Sequence, residues 1–209
     1  MITKLMNLDP EKRDRIIIAA MKEFAEKGYE KASTNEIVNG AQISKGLLFH
    51  YFKNKKQLYM FLYDYGLEFM TNEFYKRVNM EERDLFEKIR DSGLAKLEIM
   101  KKNPHLLPFL QGTYLETSIE IRAELEAKGK KILEVNMQKT FDNVDTSRFR
   151  PGLDLQTAIG IITWSTEGLV SNELRKYRML GKEIDYDAVF ALANHYMDVL
   201  KDSFYKKPD

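Results

Sequence analysis

The sequence contains no cysteine. This absence excludes disulfide bonds, thiolate metal sites and cysteine nucleophiles, and it suits a reducing compartment. The chain also has no apolar run near the roughly 18 residues that a membrane-spanning helix needs. Its N-terminus lacks the basic-then-apolar pattern of a signal peptide. We therefore expect a cytoplasmic protein that has no membrane partner.

Proline and glycine are scarce as well, with 5 and 11 residues among 209. Apolar residues recur at helical spacing, whereas the period-two alternation typical of strands is rare. The hydrophobic fraction of 44% and the charged fraction of 31% are typical of a folded globular chain. The sequence therefore predicts an all-α protein, and its length allows a sizeable core.

Charge is nearly balanced over the whole chain, at a net +1, but it is uneven along the sequence. Residues 1–56 contain 11 Lys and Arg against 7 Asp and Glu, and so carry a net charge of +4. The remainder carries a net charge of −3. A basic N-terminal part on a mildly acidic body indicates a local anionic partner.

The first helix has clear start and stop signals. Asp9 is a capping residue, Pro10 suits the first turn, and Gly28 suits the position after a helix end. These signals predict a helix over residues 10–27.

Helical patterns continue to the C-terminus. Ser44 can cap one short helix, and Asn54 with Gln57 three residues later forms the capping-box pattern of a long one. The predicted spans, in chain order, are 34–41, 45–52, 54–76, 82–102, 105–128 with a break, 129–143, 154–180 and 186–206.

The first two of these helices are short, nearly consecutive, and joined by GAQIS. Five apolar residues are spaced to face the first helix: Ile37, Ala41, Ile43, Leu48 and Phe52. Three helices that share a small core in this way form a helix-turn-helix unit, whose second helix enters the DNA major groove. That helix would present to DNA a mixed basic and aromatic surface: Lys45, Gly46, Leu47, Phe49, His50 and Tyr51.

Some of these residues also have a simpler interpretation. Leu47, which suits a thymine methyl group, could instead be a core residue. Lys45, Lys55 and Lys56 fall in first turns of helices, where the helix dipole disfavours cations by about 0.3–1 kcal/mol. Free N–H groups at the same ends favour anions, so a bound phosphate would make both features favourable. The alternative is that these lysines are simply solvated.

The segment TNEIVNGAQISKGLLFHYFKNKKQLY (34–59) resembles the helix-turn-helix of TetR-family transcriptional regulators, T-x-x-I-x-x-x-A-G-V-S-K-G-x-L-Y-x-Y-F-x-x-K-x-x-L. AAMKEFAEKGYEKAS (19–33) resembles the first helix of that family and its glycine-aromatic exit. The sequence differs from the family at Gln42, where glycine is usual, and at Phe49, where tyrosine is common. A side chain at Gln42 implies a positive φ that costs about 1 kcal/mol, or a slightly different turn.

The resemblance implies phosphate contacts from Thr34, Tyr51 and Lys55, and base or groove contacts from Lys45, Gly46, Leu47 and His50. The predicted DNA-binding set is thus Thr34, Ser44, Lys45, Gly46, Leu47, Phe49, His50, Tyr51 and Lys55. The resemblance also implies a homodimer that binds a palindromic operator, usually as a repressor, under control of a small-molecule effector. No cofactor, metal or catalytic residue is expected. The predicted domains are 1–56 for DNA binding, and 57–209 for effector binding and dimerisation.

The last two long helices look like an assembly surface. Residues 153–170 are apolar on nearly all sides, and Gly160, Ser165 and Gly168 would allow close approach of another helix. Two such helices per subunit would form a four-helix interface across a two-fold axis. The alternative is that both helices are simply core.

The effector pocket implied by the resemblance has aromatic and polar candidates in the predicted C-terminal domain. The alternative for each of them, and the commoner role for such residues, is a structural one. They are Tyr63, Phe109, Gln111, Tyr114, Trp164 and Glu167.

Two other classes of function compete with a regulator. An enzyme is disfavoured because the 3 histidines are scattered and the sequence has no P-loop, Gly-x-Gly-x-x-Gly or nucleophile elbow. A helical protein-interaction module that binds an acidic protein agrees with the charge distribution, but it does not account for the recognition-helix pattern. We therefore predict a ligand-responsive DNA-binding regulator that is not an enzyme.

Overall fold

The computed structural model of the chain describes Leu5 and residues 8–207, apart from the side chains of 131–138 and 178. Over these residues the chain forms no β-strand, and Phe149 and Tyr205 make an isolated antiparallel bridge. The all-α prediction is confirmed. The helices are α1 (Pro10–Lys31), α2 (Thr34–Ala41), α3 (Lys45–Tyr51), α4 (Lys55–Tyr75), α5 (Leu85–Lys102), α6 (Leu106–Tyr114), α7 (Arg122–Phe141), a 3-10 turn (Thr146–Arg148), α8 (Leu155–Met179) and α9 (Tyr186–Phe204).

The predicted signals at both ends of the first helix are confirmed. The Asp9 side chain accepts a hydrogen bond of 3.1 Å from the Lys12 backbone N–H, and Pro10 occupies the first turn. Gly28 adopts φ 69° and ψ 174°, which interrupts the helical backbone before α1 resumes for its last residues. A residue with a Cβ is strained at such a φ, which explains a glycine at this point.

The turn between α2 and α3 depends on a left-handed residue. Gln42 adopts φ 54° and ψ 49°, so the predicted positive φ is confirmed. The Ile43 N–H then donates to the Val38 carbonyl at 3.0 Å, which closes the end of α2. Ser44 accepts from the Leu47 N–H at 3.2 Å and caps α3 as predicted.

The start of α4 is held by a reciprocal pair of hydrogen bonds. The Gln57 N–H donates to the Asn54 side chain at 2.8 Å, and the Gln57 side chain accepts from the Lys53 N–H at 3.1 Å. This is the capping pattern predicted from the sequence, with the return bond displaced by one residue.

The break predicted within 105–128 is present, but the predicted boundary between residues 128 and 129 is wrong, because one helix continues through it. α6 ends at Tyr114, and α7 begins at Arg122. Residues 115–121, called here the α6–α7 connection, lie between them. One oxygen of Glu116 accepts from the Thr117 and Ser118 N–H groups, which ends helical pairing at this point. No proline or glycine lies within the connection, so the sequence did not show where the predicted break would fall.

The described helices divide into two compact units by packing. The first contains the residues up to Asn72 together with Lys102–Met137. Its core includes an aromatic group from three helices, with Tyr59 lying 4.9 Å from Phe24 and 5.2 Å from Phe109 between ring centroids. The helix-turn-helix elements therefore share a core with the beginning of α4 and with α6.

The second unit contains Glu73–Lys101 and Gln138–Asp209. Its core consists of Leu85, Phe86, Phe149, Ala158, Ile162, Met197 and Tyr205. The buried Asp84 side chain accepts hydrogen bonds from the Phe86 N–H at 2.9 Å and from the Tyr205 hydroxyl at 3.2 Å, so it joins the start of α5 to the end of the chain. The predicted division after residue 56 concerns function rather than packing, and it stays a prediction.

None of the helices within the described part of the chain has both the length and the apolarity needed to cross a membrane.

Candidate nucleic-acid interface

The two short helices are fixed by a shared core with α1. Four of the five residues predicted to face inward are buried: Ile37, Ala41, Leu48 and Phe52, and Ile43 is half-buried. α2 approaches α1 closely, since a Cβ built at Gly40 would lie only 3.3 Å from the Cβ of Ala19. This packing leaves the opposite side of α3 free to contact another molecule.

The N-terminal end of α3 is fully open to solvent. Ser44, Lys45 and Gly46 are exposed, and a Cβ built at Gly46 would meet no atom within 4 Å. An uncrowded helix end of this kind can approach the base edges of a major groove. Because Lys45 lies beside it, a cation is available for a phosphate or for guanine.

The aromatic residues of α3 form the next part of this surface. Phe49 is 37% exposed, and His50 is exposed. Tyr51 is half-buried, with its ring edge-to-face with that of His50 at 5.3 Å between centroids. Leu47 is half-buried. Its burial is therefore intermediate between that of a groove-contacting residue and that of a core residue, the two roles considered for it from the sequence.

Thr34 begins α2 and is half-buried. The preceding residue, Ser33, donates its N–H to the Glu23 carboxylate at 2.9 Å. A side chain of α1 therefore fixes the backbone just before α2 begins. A helix N-terminus has N–H groups without intrahelical partners, which favour an anion such as a phosphate.

Lys55 and Lys56 make contacts that neither sequence interpretation included. The Lys55 ammonium donates to the Glu30 carbonyl at 3.0 Å and to the Ala32 carbonyl at 3.3 Å. It also lies 4.7 Å from the centroid of the Tyr29 ring. The interpretation of Lys55 as simply solvated is therefore wrong, and its predicted phosphate contact stays a prediction.

The Lys56 ammonium is engaged in the same way. It donates to the Glu120 carbonyl at 2.8 Å and lies 3.5 Å from the Glu124 carboxylate. Lys56 is therefore tied to the α6–α7 connection and the start of α7, and it is not simply solvated.

The predicted effector residues fall in different environments. In the first unit Tyr63 and Phe109 are buried, Gln111 is half-buried and Tyr114 is 69% exposed. Burial, and then the neighbouring Tyr114 and Asp64, raise the pKa of Tyr63 to about 12.

The other two candidates lie on α8 in the second unit. Trp164 is 75% exposed, and Glu167 is exposed with its carboxylate 3.6 Å from the Lys96 ammonium. The six residues therefore do not form one buried group within either unit. Their assignment to an effector stays a prediction.

Sequence reasoning missed several residues that position this surface. Arg15 donates from Nε to the Ala41 carbonyl at 3.3 Å and so closes the end of α2. Glu116 accepts from the Tyr29 N–H at 2.9 Å, although 87 residues separate the two. No local pattern in the sequence indicates contacts across such distances.

Metal chemistry has no support within the part of the chain described. No group of three or more His, Asp or Glu side chains there could hold a metal ion.

Known proteins share this arrangement. The sequence profile described as "Bacterial regulatory proteins, tetR family" matches residues 16–60, which span most of α1, all of α2 and α3, and the start of α4. The probable acrEF/envCD operon repressor of Escherichia coli (strain K12) is 26% identical over 170 residues, which are 78% of this chain and 76% of the relative.

A second relative matches over a shorter part of its length. The HTH-type transcriptional regulator YuxN of Bacillus subtilis (strain 168) is 29% identical over 136 residues, covering 64% of this chain but only 45% of YuxN. Among solved structures, a TetR family transcriptional regulator from Chloroflexus aurantiacus J-10-FL superposes with a TM-score of 0.65. It is 21% identical and covers 98% of both chains, so the likeness extends over the whole fold.

Proposed function

We propose that the chain, whose helix-turn-helix matches the profile of the tetR family of bacterial regulatory proteins, represses transcription by binding a palindromic operator as a homodimer. We further propose that a small molecule controls this binding, and that the protein acts in the cytoplasm. The family consists of regulators rather than enzymes, so no turnover is assigned to the chain.

DNA binding through α3 is carried by one observation. The helix is buried on one side by Leu48, while Ser44, Lys45 and Gly46 are open on the other. Because the open side combines a cation with an unobstructed backbone, it suits direct contact with base edges.

Individual roles follow from side-chain chemistry. Lys45 and His50 can donate to base acceptors, so they should contribute to sequence preference. Thr34 and Tyr51 offer hydroxyls for phosphates, which position the protein without reading sequence. Phe49 has no hydroxyl, and with Leu47 it suits apolar contact with a sugar or a thymine methyl group.

Dimerisation through α8 and α9 is supported by apolar side chains that no core covers. Trp164 and Ile161 are exposed on α8, and Tyr196 and Val199 are exposed on α9. A Cβ built at Gly160 or Gly168 would meet no atom within 4 Å in this chain, which leaves room for a partner helix. Because Ala158 and Ile162 on α8 are buried, the helix would serve both the core and the interface.

Repression is supported by the name of the E. coli relative, an operon repressor. A dimer on a promoter excludes polymerase by occupancy, so no further catalytic apparatus is needed. Control by a small molecule is supported by the family resemblance alone. Of the predicted effector residues, Trp164 is so exposed that it suits the proposed dimer surface better than an effector pocket.

The proposal is tested by selecting bound fragments of genomic DNA with the purified full chain. We expect enrichment of a near-palindrome whose half-sites lie about 10 base pairs apart, or a multiple of that distance. A helical protein-interaction module would enrich no sequence and would not bind duplex DNA even at low salt, and that result would reject the regulator.

A further inference from the structure

The break in α1 at Gly28 leaves the Tyr29 N–H without its helical acceptor, and the side chain of Glu116 accepts from it instead. In a continuous helix the Tyr29 N–H would donate to the carbonyl four residues earlier. At Gly28 the backbone leaves the helical region, and the Tyr29 N–H donates to Oε2 of Glu116 at 2.9 Å. Since a buried N–H without a partner is costly, this bond fixes the exit of α1 against the α6–α7 connection.

The same carboxylate also shapes the connection itself. Its other oxygen, Oε1, accepts from the Thr117 N–H at 3.0 Å and from the Ser118 N–H at 2.9 Å. Glu116 therefore receives three backbone N–H groups, two from its own connection and one from α1. Hydrogen bonds to an ionised carboxylate are stronger than those between neutral groups.

Further polar contacts extend this arrangement to the start of α4. The Ser118 hydroxyl donates to the Glu30 carboxylate, and Lys56 donates to the Glu120 carbonyl. From the other direction, Lys55 donates to the Glu30 carbonyl. Tyr29, Glu30, Lys55, Lys56, Glu116 and Ser118 are called here the junction cluster.

The junction cluster lies where it can fix the direction of α3. α3 follows α2 in the chain, and α2 packs on α1. At its other end α3 is followed by α4, which begins four residues after α3 ends. Whatever fixes the exit of α1 and the start of α4 therefore fixes the direction in which α3 points. In a dimer, that direction sets the distance between the two recognition helices.

We propose that Glu116 is a positioning residue for operator recognition, and that it holds α3 at one orientation through the Tyr29 backbone. This role depends on the proposed function, because orientation matters only if two heads bind one operator. It predicts that Glu116 contributes to discrimination between half-site spacings rather than to contact with DNA.

The test is Glu116→Gln in the full chain. The amide oxygen can keep the bonds to Thr117 and Ser118, while the amide NH2 faces the Tyr29 N–H and cannot accept from it. The matched control is Glu126→Gln, which makes the same change on α7, where Glu126 contacts only Arg122 among its described ion-pair partners. If Glu116→Gln does not fold, Glu116→Asp shortens the side chain and serves as the second variant.

Two measurements are made on each protein. The first is affinity for the selected operator, for versions with one base pair added or removed between the half-sites, and for an isolated half-site. The second is exchange of the Tyr29 amide proton by NMR. We expect Glu116→Gln to lose about tenfold in affinity for the best spacing, with little change for the half-site, and to show faster Tyr29 exchange.

The outcomes separate this proposal from the proposed function. If Glu116→Gln retains the wild-type spacing preference, the positioning role is overturned, whether or not Tyr29 exchange becomes faster. If wild-type protein itself shows no preference for any operator, the proposed function fails and the positioning role fails with it. A flattened spacing profile that Glu126→Gln does not share would support the proposal.

Discussion

At the scale of single residues, Gln42 and Lys55 show how side chains outside the recognition helix affect the stability of this helix-turn-helix. Gln42 holds a left-handed conformation that glycine adopts without strain. Lys55 directs its ammonium to carbonyl groups at the exit of α1. Both residues therefore affect stability as well as the shape of the DNA-binding surface.

Replacement of Gln42 by glycine should stabilise the protein. The positive φ costs a residue with a Cβ about 1 kcal/mol, and part of this gain is offset by the greater freedom of glycine in the unfolded chain. We expect the free energy of unfolding to rise by about 0.5 kcal/mol, measured by urea denaturation. Gln42→Ala is the control, because it retains the Cβ, and a rise of equal size in that variant would contradict the explanation.

Lys55→Met and Lys45→Ala should have different effects. Methionine keeps the apolar stem but loses the two hydrogen bonds to the end of α1, so stability should fall by about 1 kcal/mol. The DNA affinity of Lys55→Met should fall by a similar factor on every sequence.

Lys45 is exposed, so Lys45→Ala should leave stability unchanged and alter the preferred operator. Equal sequence preferences for Lys45→Ala and wild type would show that α3 is wrongly placed.

At the scale of helices, the sequence allowed prediction of those elements whose signals are local. Asp9 with Pro10, Ser44, and Asn54 with Gln57 lie within one turn of the ends they define, and each made the expected contact. A break within 105–128 was predicted, but the position of the α6–α7 connection was not, because it depends on Glu116 and on partners far away in the chain. Lys55 and Lys56 were interpreted only as solvated or phosphate-binding for the same reason, since carbonyl partners have no sequence signature.

The start of α5 should be sensitive to acid through Asp84. Burial alone would raise the pKa of Asp84, but N–H donors from Glu87 and Phe86 with the charges of Lys201 and Arg148 together lower it. Its folded pKa is therefore below its unfolded value of about 3.9. The resulting stability is present above the unfolded pKa and is lost as pH falls through the folded pKa.

The measurement is unfolding free energy of wild type and Asp84→Asn between about pH 2 and pH 7, where most carboxyl groups titrate. Wild type should be the more stable protein at neutral pH, and the difference should shrink in acid as Asp84 takes up its proton. A difference that stays constant with pH would show that ionisation of Asp84 does not contribute.

At the scale of the whole molecule, the proposed function requires two chains on one operator. The exposed apolar residues of α8 and α9 provide the surface on which the proposed dimer depends, with Trp164 the largest of them at 75% exposure. The sequence alone does not distinguish an interface helix from a core helix. The exposure of these side chains in the folded chain supports the interface interpretation of α8, beside the part of the helix that is core.

Trp164→Glu should convert the protein to monomers, because a buried interface would then contain an unpaired charge. Sedimentation of the variant and wild type at the same concentration measures this change. Ile119→Glu makes a similar substitution at an exposed apolar residue outside both helices, and should leave the dimer intact. A Trp164→Glu protein that sediments as wild type would place the interface elsewhere.

The central claim is that α3 and the helix N-termini around it bind duplex DNA with sequence preference. The most direct measurement is affinity of the purified protein for its selected palindrome and for a scrambled duplex, across a series of salt concentrations. We predict a linear fall of log affinity with log salt on both duplexes, because phosphate contacts release counterions, with the palindrome bound more tightly throughout. Equal affinity for both duplexes, or no binding to either at low salt, would contradict the claim.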